Sequence, residues 1–246
     1  MKTPFVEHPL CCDVHLCAAA LSLLAFVDIC WNSVTAAGAP ALATAITGMP
    51  RLLHLDLRAN DLSDTGVAAL SPELSTLQSL TYLELRTNGI GAAGARALAA
   101  RLPELPALQY VGLGDNLLRD DGVRHLSDGL GSCTALTALD LSGNGCCAAG
   151  AAALAPQLVP LRLLQRLNLS SNSLRDAGAA AVLQHLARLP SLRSLGLAST
   201  ALAASAAETL VPLVAALSQL TYLDVCSNGL SSEQMAPALP PGAVLL

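Results

Sequence analysis

Asp28, Asp56, Glu84, Asp140 and Asp224 recur at intervals that place them at one position of a repeating unit. Carboxylates brought side by side can do general acid–base work. The histidines His8, His15, His54, His125 and His185 are the other candidate bases. His54 falls close to Asp56, Arg58 and Tyr82, but no serine or cysteine stands in register with it for attack. The eight cysteines make no C-x-x-C pair and no Cys/His cluster of zinc spacing. No G-x-x-x-x-G-K-[ST] phosphate loop occurs. The sequence therefore predicts no catalytic residue, no cofactor and no metal site, and a protein that is not an enzyme.

The elements that hold these residues must be unusual. Of 246 residues, 53% are apolar but only 2% aromatic. A core built from Leu, Ala and Val requires closely approaching backbones, and that apolar share excludes a disordered chain. The net charge of −5 comes without a basic stripe, so no nucleic-acid partner is expected. The apolar run Leu16–Val27 is shorter than the roughly 18 residues of a membrane span. Glu7 and Asp13 upstream argue against a secretory leader, so no membrane association is expected. With no disulfide framework in the spacing, a reducing compartment is expected, the cytoplasm or else the nucleus.

The dominant signal is periodic. Asn32, Asn60, Asn88, Asn116, Asn144, Asn172, Thr200 and Asn228 are evenly spaced, inside the pattern L-x-x-L-x-L-x-x-N-x-L. One copy reads Leu52, Leu55, Leu57, Asn60, Leu62. A glycine follows six residues after each of the first six asparagines; Ala206 replaces it in the seventh copy. Apolar residues then recur at i, i+4, i+7, as Leu98, Leu102 and Leu105 do, which is helical spacing. Each unit thus reads strand, turn, helix, return. Asp64, Asp120 and Asp176 sit at a helix-start position in every second unit, with alanine in the others. There an aspartate can accept from free N–H groups, and the alanine units must find another acceptor. Pro72, Pro156 and Pro212 share a helix column, so those helices are expected to start late or bend.

The segment NGIGAAGARAL from Asn88 to Leu98 resembles leucine-rich repeats of the ribonuclease-inhibitor subtype, most closely the C-terminal arrays of NACHT-containing innate sensors. The likeness runs from about residue 10 to about residue 233. It implies an α/β horseshoe solenoid with parallel strands on the concave face and helices on the convex face. A capping helix is expected at 10–22 within an N-terminal segment 1–22, eight repeats over 23–233, and a Pro-rich tail over 234–246 that leaves the last strand's core poorly covered. In repeats of this kind the acid position commonly solvates the strand face, so a structural role for the carboxylates is favoured over catalysis. Arg58 and Arg86 are expected to neutralise Asp56 and Glu84.

In such a solenoid the x positions of the strand segment share one face. Five of the six aromatic residues, Phe26, Trp31, Tyr82, Tyr110 and Tyr222, occupy them. Aromatics and Arg dominate interaction hot spots. The predicted protein-binding set is Phe26, Trp31, His54, Arg58, Tyr82, Arg86, Tyr110 and Asp115, with Phe26, His54, Tyr82 and Tyr110 in one column. Small residues in the second half of the face are expected to bind nothing. The expected partner is another protein, with a basic surface favoured by the acid row; oligomeric state is left open. The resemblance also implies alternatives: a GTPase activator of the Ran type, or a ligand-sensing fragment of an innate immune receptor. Uniform repeat length and an uncharged tail argue against the former.

Overall fold

The computed structural model describes residues 21–246, so the capping helix expected at 10–22 lies outside the described residues but for its last two positions. A three-residue strand opens each repeat: β1 Phe26–Asp28, β2 His54–Asp56, β3 Tyr82–Glu84, β4 Tyr110–Gly112, β5 Ala138–Asp140, β6 Arg166–Asn168, β7 Ser194–Gly196 and β8 Tyr222–Asp224. All pair in parallel, in chain order, with β9 Val244–Leu245 added at the end. Between strands the chain returns through α1 Ala39–Thr47, α2 Ser63–Leu74, α3 Ala92–Ala99, α4 Arg119–Leu130, α5 Ala148–Leu158, α6 Arg175–Leu186 and α7 Ala207–Ala215. A helix is ~10 Å wide and strands lie ~4.8 Å apart, so stacking curves the array with the sheet inside.

The middle residue of each strand points into the core. Leu55, Leu83, Val111, Leu139, Leu167, Leu195 and Leu223 are all buried there, facing the buried helix residues Leu70, Leu98, Leu126 and Leu154. No repeat covers its own leucines; its neighbour does, which makes the core one continuous cluster. The outer two residues of each strand face the concave side, with Phe26, His54, Tyr82 and Tyr110 in direct register.

The asparagines form the expected ladder. The Asn116 amide nitrogen donates to Leu85 O and Leu113 O, and its oxygen accepts from Asn88 N and Ile90 N. At Thr200 the buried hydroxyl donates to Leu197 O within its own repeat, with a longer contact of 3.4 Å to Asn228 Oδ1 of the next.

The alternating aspartates serve the following repeat, an arrangement the sequence did not show. Asp64 accepts from Gly91 N and Gly94 N at the start of α3, and Asp120 accepts from Cys147 N and Gly150 N at the start of α5. These are the repeats with alanine at the position, so their acceptor comes from the neighbour. Gly94 is required by this contact: an added Cβ would lie 2.8 Å from the Asp64 carboxylate. Where Ala206 replaces the glycine, Asp176 bonds Ala203 N and α7 is entered through the 3-10 turn Ala204–Ala206.

Of two expectations, the late helix start is met at one proline of three, and that of a bare tail is corrected. Helices α2 and α5 start in place and run two residues past Pro72 and Pro156; only the Pro212 helix starts late, beside Ala206. The tail is not a bare Pro-rich end. A short helix α8, Ser232–Met235, and a 3-10 turn place Met235 and Ala238 in the core before β9 joins the sheet. The prolines end the helix early, and the remaining chain is then free to return as a strand.

Candidate protein-binding face

The aromatic column is a stack. Ring centroids of Phe26, His54, Tyr82 and Tyr110 follow one another at 4.0, 4.0 and 4.3 Å, within 12° of parallel. In-register parallel strands impose this, because each ring leaves the sheet at the same angle one strand spacing on. Exposure falls along the stack: Phe26 is exposed, and the others are half-buried between neighbours. Burial between rings pushes the His54 imidazole below its ordinary pKa, against the opposing pull of Asp56, Asp28 and Glu84. Burial and then the Glu84 carboxylate push the Tyr110 phenol far up.

Beneath the rings runs the acid row, and at two of its members the expected solvating role fails. Asp56 and Glu84 are buried, because the neighbouring rings and guanidinium groups roof them. Each acid holds the backbone N–H two residues on: Asp56 takes Arg58 N, Glu84 takes Arg86 N and Asp140 takes Ser142 N. Their work is to fix the chain as it leaves the strand. Gly112 interrupts the row for a steric reason. The Glu84 side chain crosses onto β4, where it accepts the Tyr110 hydroxyl at 2.8 Å, and a Cβ at 112 would overlap it.

The arginines divide. Arg58 pairs with Asp56 at 3.1 Å, as expected. Arg86 does not pair with Glu84; it reaches forward to Asp115 and to Asp140 at 3.5 Å. Its partners lie one and two repeats on because Glu84 is already engaged by Tyr110. Asp28, Cys30 and Asp56 offer ligand atoms within 4.8 Å of one another. Those carboxylates already hold Cys30 N and Arg58, whose guanidinium supplies the cation.

Trp31 and Asp115 stand apart from the stack. They belong to the turn column after the strands, where Trp31, Ala59, Thr87, Asp115, Ser171, Ser199 and Ser227 share left-handed backbone. That conformation is costly for a bulky side chain, and most units place a small or polar residue there. Trp31 is nevertheless 78% exposed, beside a hollow of about 380 Å³ walled by Asp61, Ser63 and Thr87. The structure thus assembles four of the eight predicted residues as a stack, flanks it with Arg58 and Arg86, and sets Trp31 and Asp115 on the rim. Sequence reasoning passed over Arg166, the cation that β6 places in the ring column; its charge among small neighbours was the available signal. His185 bonds Ala181 O on its own helix, and burial raises the Cys133 and Cys146 thiols to about 11 and about 12.

An open parallel sheet lined by rings on its inner side, with helices behind, defines a repeat solenoid. Residues 49–71, 76–99, 132–155 and 161–183 match the leucine rich repeat family model. The fold is that of a leucine-rich-repeat solenoid. No curated protein sequence matches the chain. Among solved structures it is similar to internalin C2 from Listeria monocytogenes, at 21% identity and a TM-score of 0.61, over 93% of this chain and 81% of that one. That likeness is one of fold. Among the described residues, no helix is long and apolar enough to cross a membrane.

Proposed function

We propose that the protein is a non-enzymatic interaction scaffold that grips a protein partner with the N-terminal part of its concave face. One observation carries this reading: Phe26 and Trp31, at 59% and 78% exposure, place aromatic surface in water that the fold does not use. Tyr82 and Tyr110 also serve the sheet, through stacking and the Glu84 bond. Phe26 uses one face on His54 and leaves the rest of its ring exposed, while Trp31 makes no ring stack and bears a backbone cost besides. Rigid exposed rings gain contact area at little entropic expense. Arg58, Arg86 and Asp115 form the polar rim of the patch. The finer assignment we favour is the ribonuclease-inhibitor subtype, similar to the arrays of NACHT-containing proteins; a full α-helix in most repeats and uniform repeat length support it. A cytoplasmic site of action fits free thiols at Cys133 and Cys146 within the core.

Proximity labelling with the double variant Phe26→Ala/Trp31→Ala tests the proposal. Both side chains are exposed, so the fold is retained. Partners captured by the parent chain should be lost from this variant and kept by Arg124→Ala on the outer face of α4. Undiminished capture by the ring variant moves the contact elsewhere.

A further inference from the structure

The second half of the concave face, expected from sequence to be idle, contains a trough of about 470 Å³. It exists because the residues there are small. Along the ring column the register reads Tyr110, Ala138, Arg166, Ser194, Tyr222 on five successive strands. The tyrosines form the two end walls, and Arg166 stands midway, roughly 10 Å from each at ~4.8 Å per strand.

Arg166 differs from the other arginines of this face. Arg58 and Arg86 are held by carboxylates, whereas exposed Arg166 forms no ion pair among the described residues. The cause is local. The acid row carries Asn168 on its own strand and Gly196 on the next; of the three carboxylates that line the trough, Asp115 and Asp140 are held by Arg86 and Asp224 accepts from Cys226 N, which leaves Arg166 without a carboxylate partner. A second, independent feature lies in the same trough. The Ser142 hydroxyl, on a residue 6% exposed, has no hydrogen-bond partner among the described residues. The hydroxyl itself is sealed from solvent, so a ligand meets it only where the floor of the trough gives way.

We propose that this trough binds an extended acidic peptide segment, one carboxylate of which pairs with the Arg166 guanidinium. Arginine presents a planar fork that matches a carboxylate with two hydrogen bonds. Between the tyrosine walls the face measures roughly 19 Å, which an extended chain of about six residues spans. Side chains on either side of the acid then lie against Tyr110 and Tyr222. The inference rests on the reading that the concave face is the binding face, but not on the stack around Phe26.

The probe is a fluorescein-labelled dodecapeptide alternating Glu and Ala, with blocked ends, followed by anisotropy at low salt. A Lys–Ala peptide is the charge control. The parent chain should bind the Glu–Ala peptide saturably and the Lys–Ala peptide less. Arg166→Gln should weaken binding about tenfold or more, and Arg166→Lys should restore only part, since a point charge lacks the fork. Phe26→Ala/Trp31→Ala should bind this peptide as the parent does. No saturable binding up to about 1 mM, equal affinity in Arg166→Gln, or preference for the Lys–Ala peptide overturns the proposal. Arg166 is exposed and unpaired, so its replacement does not threaten the fold. Lost partner capture in the ring variant, with peptide binding intact, separates the failure of one reading from that of the other.

Discussion

Glu84 shows how one extra methylene reorganises a site. Aspartate at the same position, as in Asp56, turns back onto its own strand exit; glutamate reaches across to the next strand and takes the Tyr110 hydroxyl. Gly112 makes room for it, and Tyr110 is thereby held at the end of the stack. Replacement Gly112→Ala should evict the carboxylate, costing about 1–3 kcal/mol for the overpacked contact. Because it also breaks the Tyr110 bond, it should not add to Tyr110→Phe. Urea unfolding of the two single variants and the double variant measures the coupling; additive losses would mean that the glycine and the phenol are unrelated. The sequence makes the columns legible, since period alone aligns Phe26, His54, Tyr82 and Tyr110. It does not reveal reach. Which acid Arg86 meets depends on side-chain length and on what Glu84 already holds, and neither appears in a column of letters.

At the scale of the element, the alternate aspartates explain why a helix with alanine at its start is stable. Asp120 accepts two N–H groups of the neighbouring α5, satisfying donors that every helix leaves free in its first turn. Asp120→Ala should therefore destabilise by about 1–2 kcal/mol, the usual scale of a lost helix cap. The loss should be felt in α5 rather than in the helix that carries the residue. Hydrogen exchange of Cys147 N and Gly150 N against amides of α4 distinguishes the two; faster exchange confined to α4 would refute inter-repeat capping. The sequence displayed the alternation of Asp64, Asp120 and Asp176 but not its direction. A cap ordinarily serves its own helix, and only the stacking of one turn over the next brings the carboxylate to the following one. The late entry of α7 beside Ala206 is the natural counterpart, since the methyl group takes the space in which the carboxylate would close.

Across the whole molecule the same contact makes the structural unit two repeats rather than one. The carboxylate of an aspartate-bearing repeat accepts from backbone N–H groups of the next, on an extended turn entered through Gly91 or Cys147. The aspartate-bearing repeats turn differently, with left-handed residues at Ser63, Arg119 and Arg175. The two turns are complementary and not interchangeable. Excising residues 89–144 removes one pair and joins like to like, so Asp64 meets the turn at Cys147 that Asp120 met before. Excising residues 89–116 removes a single repeat and sets two aspartate-bearing turns side by side. The core leucines stay in register in both, because both cuts preserve the repeat length. The longer deletion should therefore unfold cooperatively, with a urea m-value reduced in proportion to the surface removed. The shorter one, though it discards less core, should be the less stable by about 1–3 kcal/mol, because the Asp64 carboxylate loses both of its N–H partners, Gly91 N and Gly94 N, and faces the left-handed turn at Arg119 instead. Urea melts followed by circular dichroism decide the matter. If the single-repeat deletion is the more stable of the two, each repeat is self-sufficient and the alternation is a remnant of duplication without structural consequence.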